Sequence, residues 1–313
     1  MAVYLTRRLV FAVLLIFIVS SASLVLTRLA PGDFAMVTLG VDARPELLEQ
    51  TRARYGLDRS IAAQYRDWLS HAVRLDFGQS MQHGVPVAGL VAGAAANTAI
   101  LAVTALSAAT LIGLPLGIIA GSKGGTAASH AIRAISIVAL STPSLLTSLI
   151  LLVVAARTGW FPVGDMRSAG VSTTTDLLWH LVLPATALAL PIAAMFERLQ
   201  AQAMSEAIAQ PFVLAAVGRG VPRSRVVWRG ALKAALRPTM AIYGLVIGAL
   251  LSGSFAVEAV TSWPGLGQLM LNALRARDIY LVAGCAAAGS MFLAVGTLLS
   301  DVALAVVDPR ARE

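Results

Sequence analysis

The amino-acid sequence alternates long apolar runs with short polar segments. A membrane-spanning helix needs about 20 largely apolar residues to cross a hydrocarbon core of roughly 30 Å. Six runs meet this requirement, at about residues 9–29, 97–121, 132–156, 177–196, 238–258 and 281–306. The pattern therefore predicts an all-α integral membrane protein with six transmembrane helices.

The segment between the first two runs, residues 31–96, has a different pattern. At helical spacing, Leu47, Leu48 and Tyr55 share one side of a first short helix. A second short helix places four apolar side chains on one side: Ile61, Tyr65, Trp68 and Leu69. These amphipathic helices predict a small folded layer outside the membrane, or a helical hairpin that lies on the membrane surface.

The first apolar run follows Arg7-Arg8, which raises the alternative of a secretory signal peptide. The run from Leu9 to Leu26 is about 18 residues long, whereas the apolar region of a signal peptide has roughly 7–15. No clear small-x-small cleavage site follows it. We therefore expect residues 1–30 to remain in the protein as its first transmembrane helix.

The composition agrees with a membrane protein, because 58% of the residues are apolar and only 13% are charged. A soluble domain usually has about twice that share of charged residues. The single cysteine, Cys285, excludes a disulfide within the chain. The four histidines are too far apart in sequence to predict a metal site.

The formal net charge of +8 is concentrated in the segment 197–237, which holds seven Lys and Arg against two acidic residues. Basic residues are enriched on the cytoplasmic loops of membrane proteins. With six spans, this segment and both termini fall on the same side of the membrane, so both termini are predicted to be cytoplasmic. Membrane orientation thus accounts for the basic charge, and no nucleic-acid partner is expected.

The sequence contains no recognisable catalytic motif. A phosphate-binding loop needs GxxxxGK[ST], and the nearest string, GSKGGT at 121–126, has its glycines and lysine in another order. Ionisable side chains are nearly absent from the apolar runs, and the main exception, Asp301, lies close to a predicted cytoplasmic end. An enzyme is therefore not predicted. A self-contained ion-coupled carrier remains the alternative to a transporter driven by partner subunits.

A short apolar helix is predicted at the head of the basic segment. Pro211 suits its first turn, and Phe212, Ala215 and Ala216 fall on one compact face. Gly220 can take the left-handed backbone conformation that ends a helix. An apolar knob on a rigid turn has no reason to face water, so we expect it to dock into a soluble partner. The residues expected to make this contact are Phe212, Val213, Ala215, Ala216, Gly218 and Gly220.

A second helix is predicted after Val221-Pro222. Four basic residues recur on it at intervals of four and form a stripe that can reach anionic lipid headgroups: Arg225, Arg229, Lys233 and Arg237. Val227, Ala231 and Ala234 are expected to line another side of the same helix.

The spacing of Leu214-Ala215-Ala216 and Gly220 resembles the EAA motif of permease subunits in ATP-binding-cassette (ABC) importers, with Leu214 in place of the usual acidic residue. Nearly the whole chain is similar to the B-type permeases of dipeptide, oligopeptide and nickel importers. The strings that carry this resemblance occur in the expected order: RLAPGD (28–33), YGLDRSIAAQYRDWL (55–69), LDFGQS (75–80), GLPLGIIAG (113–121), STPS (141–144), HLVLPATALAL (180–190), WPGLGQLM (263–270), RDIY (277–280) and VVDPRAR (306–312).

The resemblance implies the type I ABC importer permease fold, with a transmembrane domain over residues 97–307, a cytoplasmic coupling loop at about 197–237 and a cytoplasmic tail at 308–313. It also implies a bacterial inner-membrane location and a heterodimer with a second related permease. One or two ABC ATPase subunits would hold ATP and Mg²⁺, an extracytoplasmic solute-binding protein would deliver the cargo, and this chain would hold no cofactor. The implied cargo is di- or oligopeptides, with nickel chelates, glutathione-like and haem-like ligands left open.

In this family, the apolar knob is the coupling helix, which sits in a groove of the ATPase subunit. The external loop after Glu258 lies near the substrate entrance in the family. The resemblance therefore makes five residues candidates for an external gate: Glu258, Trp263, Pro264, Gly265 and Gly267. A purely structural turn at Pro264-Gly265 is the alternative.

Overall fold

The computed structural model describes residues 2–40 and 42–307. Its helices are α1 (Ala2–Leu29), α2 (Phe34–Leu39), α3 (Pro45–Arg54), α4 (Ile61–Ala72), α5 (Val87–Ser122), α6 (Ala127–Ser141), α7 (Ser144–Thr158), α8 (Thr174–Ile208), α9 (Pro211–Gly218), α10 (Arg223–Val226), α11 (Leu232–Ala241), α12 (Tyr243–Thr261), α13 (Leu266–Ala276) and α14 (Ile279–Val307). A π-helical turn, Val227–Ala231, joins α10 to α11. The tail predicted at 308–313 lies outside the described residues.

Four helical stretches in the described part of the chain are long and apolar enough to cross a membrane: Thr6–Leu29, Val87–Ser122, Thr174–Ile208 and Ile279–Leu299. Two further candidates are bent pairs, Ala127–Ser141 with Ser144–Thr158 at 99° and Ser224–Leu250 with Gly253–Thr261 at 48°. The prediction of an all-α membrane protein is confirmed. The number of candidate spans is four, or up to six if each bent pair is one span.

The third predicted run, residues 132–156, is therefore not one straight helix. Its break coincides with Pro143, which has no backbone N–H to donate and which disfavours the helical conformation in the preceding residue. Thr142 is accordingly extended, with φ −97° and ψ 116°. The break between α6 and α7 follows from this local backbone restriction.

Two predicted boundaries also differ from the structure. α5 begins at Val87, about ten residues before the predicted start at 97, so the end of the segment 31–96 is already helical. α8 continues to Ile208, so residues 197–208 extend a helix instead of opening a loop. The 35 residues of α8 give a length of about 52 Å, which exceeds a hydrocarbon core of roughly 30 Å.

The chain divides into two compact units, Met1–Ala99 with Pro264–Ala294 and Ile100–Trp263 with Val295–Glu313. In the first unit, α4 packs through the apolar side predicted for it. Trp68 is buried against Leu24 of α1 and Ala283 of α14, and the hydroxyl oxygens of Ser21 and Tyr65 are 3.0 Å apart. The helices of the segment 31–96 are thus part of a folded unit.

The apolar side predicted for α3 packs only at its end: no residue of α3 itself is buried, but Tyr55, which follows the helix, packs edge-on against the ring of Phe34 with the centroids 5.1 Å apart. A polar contact also holds α3: Arg52 Nε donates to Asp33 Oδ2 at 2.7 Å, and Asp33 Oδ1 accepts from the Met36 N–H at 3.0 Å to cap α2. Partial burial acts to raise the pKa of Asp33, but the Met36 hydrogen bond and the Arg52 guanidinium outweigh it. The pKa of Asp33 therefore lies below its ordinary value.

A buried carboxylate in the first unit joins residues that are far apart in sequence. Asp278 Oδ2 accepts from the Ser80 hydroxyl at 2.6 Å and from the Gln82 N–H at 3.1 Å. Asp278 Oδ1 accepts from the Leu281 N–H at 3.1 Å. The side chain therefore ties the LDFGQS string to the start of α14 and also satisfies one of the free N–H groups of that helix.

In the second unit, α5 and α8 pack closely along a row of glycines. Three residues of α5 face three residues of α8 in the same order along the chain: Gly113 and Ala193, Gly117 and Glu197, Gly121 and Ala201. The two helices therefore run parallel. A Cβ on Gly117 would lie 2.6 Å from the carbonyl oxygen of Glu197, so the absence of a side chain is what allows this approach.

Aromatic side chains extend this packing to α12. The rings of Phe196 and Tyr243 stack with their centroids 4.8 Å apart. The Tyr243 and Thr110 hydroxyl oxygens are 2.8 Å apart, within hydrogen-bond distance. α5, α8 and α12 are thereby held together, and the end of α8 packs against the helices that follow it.

Candidate coupling site and gate

The predicted apolar helix is present as α9, and its sequence sets both of its ends. Pro211 occupies the first turn, where its missing N–H leaves no intrahelical hydrogen bond unmade. At the other end, Gly220 has φ +83°, the left-handed conformation that favours glycine. The prediction that Gly220 terminates the helix is confirmed.

Two hydrogen bonds define the way in which α9 ends. The Gly220 N–H donates to the Val217 carbonyl at 2.9 Å, and the Val221 N–H donates to the Ala216 carbonyl at 3.2 Å. This is the pair of bonds of a Schellman motif, in which glycine stands one residue past the helix cap. The four-residue spacing from Ala216 to Gly220 is therefore the spacing that the motif requires.

One side of α9 is anchored to the rest of the second unit. Val213 is only 4% exposed. It belongs to a buried apolar cluster built from the end of α8, α10, the π-helical turn and α11: Ala203, Met204, Ala207, Val213, Val226, Ala231 and Ala235. Ala216 and Val221, which are joined by the second Schellman bond, pack against the same cluster. α9 is thus fixed to the end of the long helix α8.

The other side of α9 is exposed and apolar. Phe212, Leu214 and Val217 have exposed fractions of 49%, 63% and 45%, and Ala215 and Gly218 are exposed as well. The face predicted from Phe212, Ala215 and Ala216 is therefore wrong in part. Val213 and Ala216 point inward to the cluster, whereas Leu214 and Val217 belong to the outward face.

The π-helical turn after α10 changes which side chains face the cluster. A π-helical turn has more residues than an α-helical one, and Val226 and Ala231, five residues apart, are both buried. Of the three residues predicted for this side, Ala231 is buried, while Val227 and Ala234 pack only against the edge of the cluster.

The basic stripe is on the surface. Its four members are exposed: Arg225, Arg229, Lys233 and Arg237. The ring of Phe212 lies over Gly230, where an added Cβ would be 3.6 Å from Phe212 Cε2. The exposed apolar face of α9 therefore sits beside cationic side chains, an arrangement suited to a partner surface that is apolar with an acidic border.

The candidate gate residues fall in both units. In the second unit, Glu258 and Trp263 are fully buried, and the Trp263 ring is part of the main apolar core. The Trp263 N–H donates to the Glu258 carbonyl at 3.0 Å. This bond closes the C-terminal end of α12.

In the first unit, Pro264 is exposed and Gly265 and Gly267 are buried. The Pro264 carbonyl accepts from Asn97 Nδ2 at 2.8 Å, and the Leu266 N–H donates to Thr98 Oγ1 at 2.8 Å. Sequence analysis missed Asn97 and Thr98, because nothing local in the sequence marks two polar residues of α5 as partners of this loop. These bonds hold the turn to the first part of α5.

Within residues 2–40 and 42–307, no group of three or more His, Cys, Asp or Glu side chains is arranged to hold a metal ion. The features of α9 are those of a docking surface: a short rigid helix, an apolar outer face and a buried anchor.

Two family models match this chain. The model described as "Binding-protein-dependent transport system inner membrane component" matches residues 113–313. The model described as "Binding-prot-dependent transport system membrane comp, N-term" matches residues 1–101.

Curated relatives align over almost their whole length. An oligopeptide transport system permease protein of Bacillus subtilis is 30% identical, with 99% of each chain covered. A putative peptide permease protein of Brucella ovis is 32% identical, with 99% of this chain and 98% of the relative covered. A glutathione transport system permease protein of Escherichia coli is 29% identical, with the same coverage of 99% and 98%.

Proposed function

The chain belongs to the family of binding-protein-dependent transport system inner membrane components, and on this premise we propose that it is the permease subunit of an ATP-driven importer of short peptides. A member of this family is a membrane permease component of an ABC transporter and not an enzyme. The observation that carries the mechanism is the exposed apolar face of α9 on a helix whose other side is buried.

Peptides are the cargo that the relatives' names support. The relatives named above are described as oligopeptide, peptide and glutathione permeases, and glutathione is itself a small peptide. The chemistry shared by such cargo is a peptide backbone with charged groups at its ends and side chains that vary. Nickel chelates and haem-like ligands lack this common feature and take second place.

The proposed topology has six spans with both termini in the cytoplasm, each bent pair counting as one span. The parallel packing of α5 and α8 supports it. Gly121, near the end of α5, faces Ala201 in the last third of α8, so the chain must return across the bilayer between them. Only α6 and α7 lie in that interval. A reporter fused at about residue 60 should be exported and one at about residue 220 should stay inside; the opposite labelling would overturn this topology.

The proposed partners follow from the family. A second related permease completes the passage, ABC ATPase subunits with bound ATP and Mg²⁺ lie on the cytoplasmic side, and a solute-binding protein delivers the cargo from outside. In this arrangement α9 is seated in the ATPase subunit. Because Val213 fixes α9 to the end of α8, movement of the ATPase is passed to a helix long enough to cross the membrane.

The candidate external gate stays part of this proposal. Glu258 and Trp263 at the end of α12, and Pro264, Gly265 and Gly267 at the start of α13, would lie on the outer side under the six-span topology. The buried position of Trp263 and the hydrogen bonds to Pro264 and Leu266 favour a structural role for the turn. A gate would then move as a packed segment and not as a loose loop.

Reconstitution tests the proposed function. The permease pair and its ATPases, in proteoliposomes supplied with the solute-binding protein, should accumulate a labelled peptide only when ATP is present. The rival, an ion-coupled carrier, predicts uptake driven by an ion gradient in vesicles that contain no ATPase. That result would refute the proposal.

A further inference from the structure

A cavity of about 740 Å³ opens between α6 and α8 in the second unit. Its volume lies in the range of roughly 300–1,000 Å³ that is usual for small-molecule sites. Its charged and polar lining includes Arg133 of α6 and Glu197, Arg198, Gln202 and Glu206 of α8. The remaining wall is mainly apolar, with Ile137, Leu140, Met195 and Leu199 among the lining residues.

Glu197 is a buried acidic residue in this lining whose carboxylate has no partner. Glu197 is only 1% exposed, and neither of its carboxylate oxygens has a hydrogen-bond partner in the described part of the chain. A carboxylate removed from water without a partner is strongly unfavourable. The side chain therefore calls for a cation that the chain itself does not supply in this structure.

Two guanidinium groups that are not paired with any described residue line the same cavity. Arg133 and Arg198 are exposed, and neither makes an ion pair or hydrogen bond with any residue that the structure describes. Glu206, by contrast, accepts from Gln202 Nε2 at 3.0 Å. The cavity thus presents one unpartnered acid and two unpartnered bases.

We propose that this cavity binds a short peptide through its two charged ends, with the ammonium group at Glu197 and the terminal carboxylate at Arg133 and Arg198. The proposal rests on the proposed function and names the chemistry of one site within it. A guanidinium binds a carboxylate through two parallel hydrogen bonds. Recognition of the two ends leaves the peptide side chains to the apolar wall, which suits cargo of varied sequence.

The position of the cavity assigns it a place in transport. Glu197 stands 23 residues after the start of α8 at Thr174, about 35 Å along the helix axis. Under the six-span topology this is the cytoplasmic end of α8. The cavity is therefore a site that cargo occupies after it has left the binding protein and before it is released into the cytoplasm.

Calorimetry on the intact assembly tests the site. The permease pair with its ATPases, in lipid nanodiscs without binding protein and without nucleotide, is titrated with three probes: trialanine, N-acetyl-trialanine and trialanine amide. Trialanine should bind, and each modified probe, which lacks one charged end, should bind roughly 10- to 100-fold more weakly, the usual effect of losing a hydrogen bond to a charged group.

Substitutions assign each end to its residues. Glu197→Gln should weaken trialanine binding by a similar factor and leave binding of N-acetyl-trialanine unchanged. Arg133→Gln should weaken trialanine binding by a similar factor and leave binding of trialanine amide unchanged. The matched control is Glu49→Gln on the exposed surface of α3, which should change neither. In the absence of peptide, Glu197→Gln should also raise the thermal stability of the assembly, whereas a purely structural carboxylate would lower it.

Three outcomes would overturn the proposal. The first is equal binding of all three probes. The second is restoration of transport by the charge exchange Glu197→Arg with Arg133→Glu, which would show an internal ion pair instead of a ligand site. The third is no binding by a wild-type assembly that still takes up trialanine with ATP and binding protein; this would reject the site and leave the proposed function intact. Absence of both binding and uptake would reject both.

Discussion

Replacement of Gly220 by valine should uncouple ATP hydrolysis from transport. Gly220 has φ +83°, and nothing lies within 4 Å of the position that a Cβ would occupy. The substitution therefore creates no clash, and its effect comes from the backbone alone. A side chain held in the left-handed conformation costs roughly 1–2 kcal/mol, and a β-branched one is at the unfavourable end.

This free-energy cost destabilises the two Schellman hydrogen bonds that close α9. A change of about 1–2 kcal/mol shifts the local equilibrium between closed and open forms roughly 5- to 30-fold toward the open form. Peptide uptake should drop by a factor in this range, while ATP hydrolysis continues without its normal response to the loaded binding protein. Both rates are measured in the same proteoliposomes, after confirming that the complex is assembled.

Two other changes provide controls. Gly124→Val lies in the turn after α5, outside α9, where φ is not positive and an added Cβ is equally free of contacts, so uptake should be affected little. Gly220→Asn keeps a residue that tolerates the left-handed region and should retain most of the uptake. Normal uptake by Gly220→Val in an assembled complex, or equal damage from Gly124→Val, would refute the reasoning.

Three further predictions concern the packing and the polar contacts within each of the two units. Gly117→Ala should destabilise the chain by roughly 1–3 kcal/mol, seen as a lower unfolding temperature, because its Cβ would lie 2.6 Å from an α8 carbonyl oxygen; Gly93→Ala, where space is open, should be tolerated. Asp278→Ala should lower the free energy of unfolding by roughly 3 kcal/mol, because three donors lose a buried charged acceptor; an unchanged unfolding midpoint would contradict this. The pKa of Asp33 lies below its ordinary value of 3.8, so its contribution to stability is complete above that value and is lost as the pH falls through the lower folded-state pKa. Asp33→Asn should therefore show a shallower loss of stability in this acid range, measured by thermal unfolding against pH, and an unaltered slope would argue against the Arg52 contact.

Local sequence signals predicted the helix α9 well because its ends are set by local chemistry. Pro211 starts it and Gly220 ends it, and both residues act through the backbone. The outward face was harder to predict, because apolar residues occupy every position of α9 from Phe212 to Val217. With no polar residue to mark the solvent side, periodicity could not separate Val213, which is buried, from Leu214, which is exposed.

Other features depend on residues that are distant in sequence. The π-helical turn moves the buried positions from a four-residue to a five-residue interval, so the spacing of Val226 and Ala231 does not follow the ordinary helical period. Pro143 explains the break between α6 and α7, but the 99° angle between them depends on how both helices pack on α8. The sequence did not predict the burial of Glu197, because α8 extends past the predicted end of its apolar run at residue 196.

The proposed mechanism requires a separate ATP-hydrolysing protein to hold the exposed face of α9, and a photo-reactive benzoyl-phenylalanine at position 214 provides a test of this claim. Leu214 is the most exposed large apolar side chain of α9, whereas Leu47, also exposed, lies on α3 of the predicted external segment. Illumination of intact cells should join position 214, and not position 47, to an ABC ATPase subunit identified by mass spectrometry. A crosslink to that subunit from position 47, or none from position 214 in a complex that transports normally, would contradict the claim.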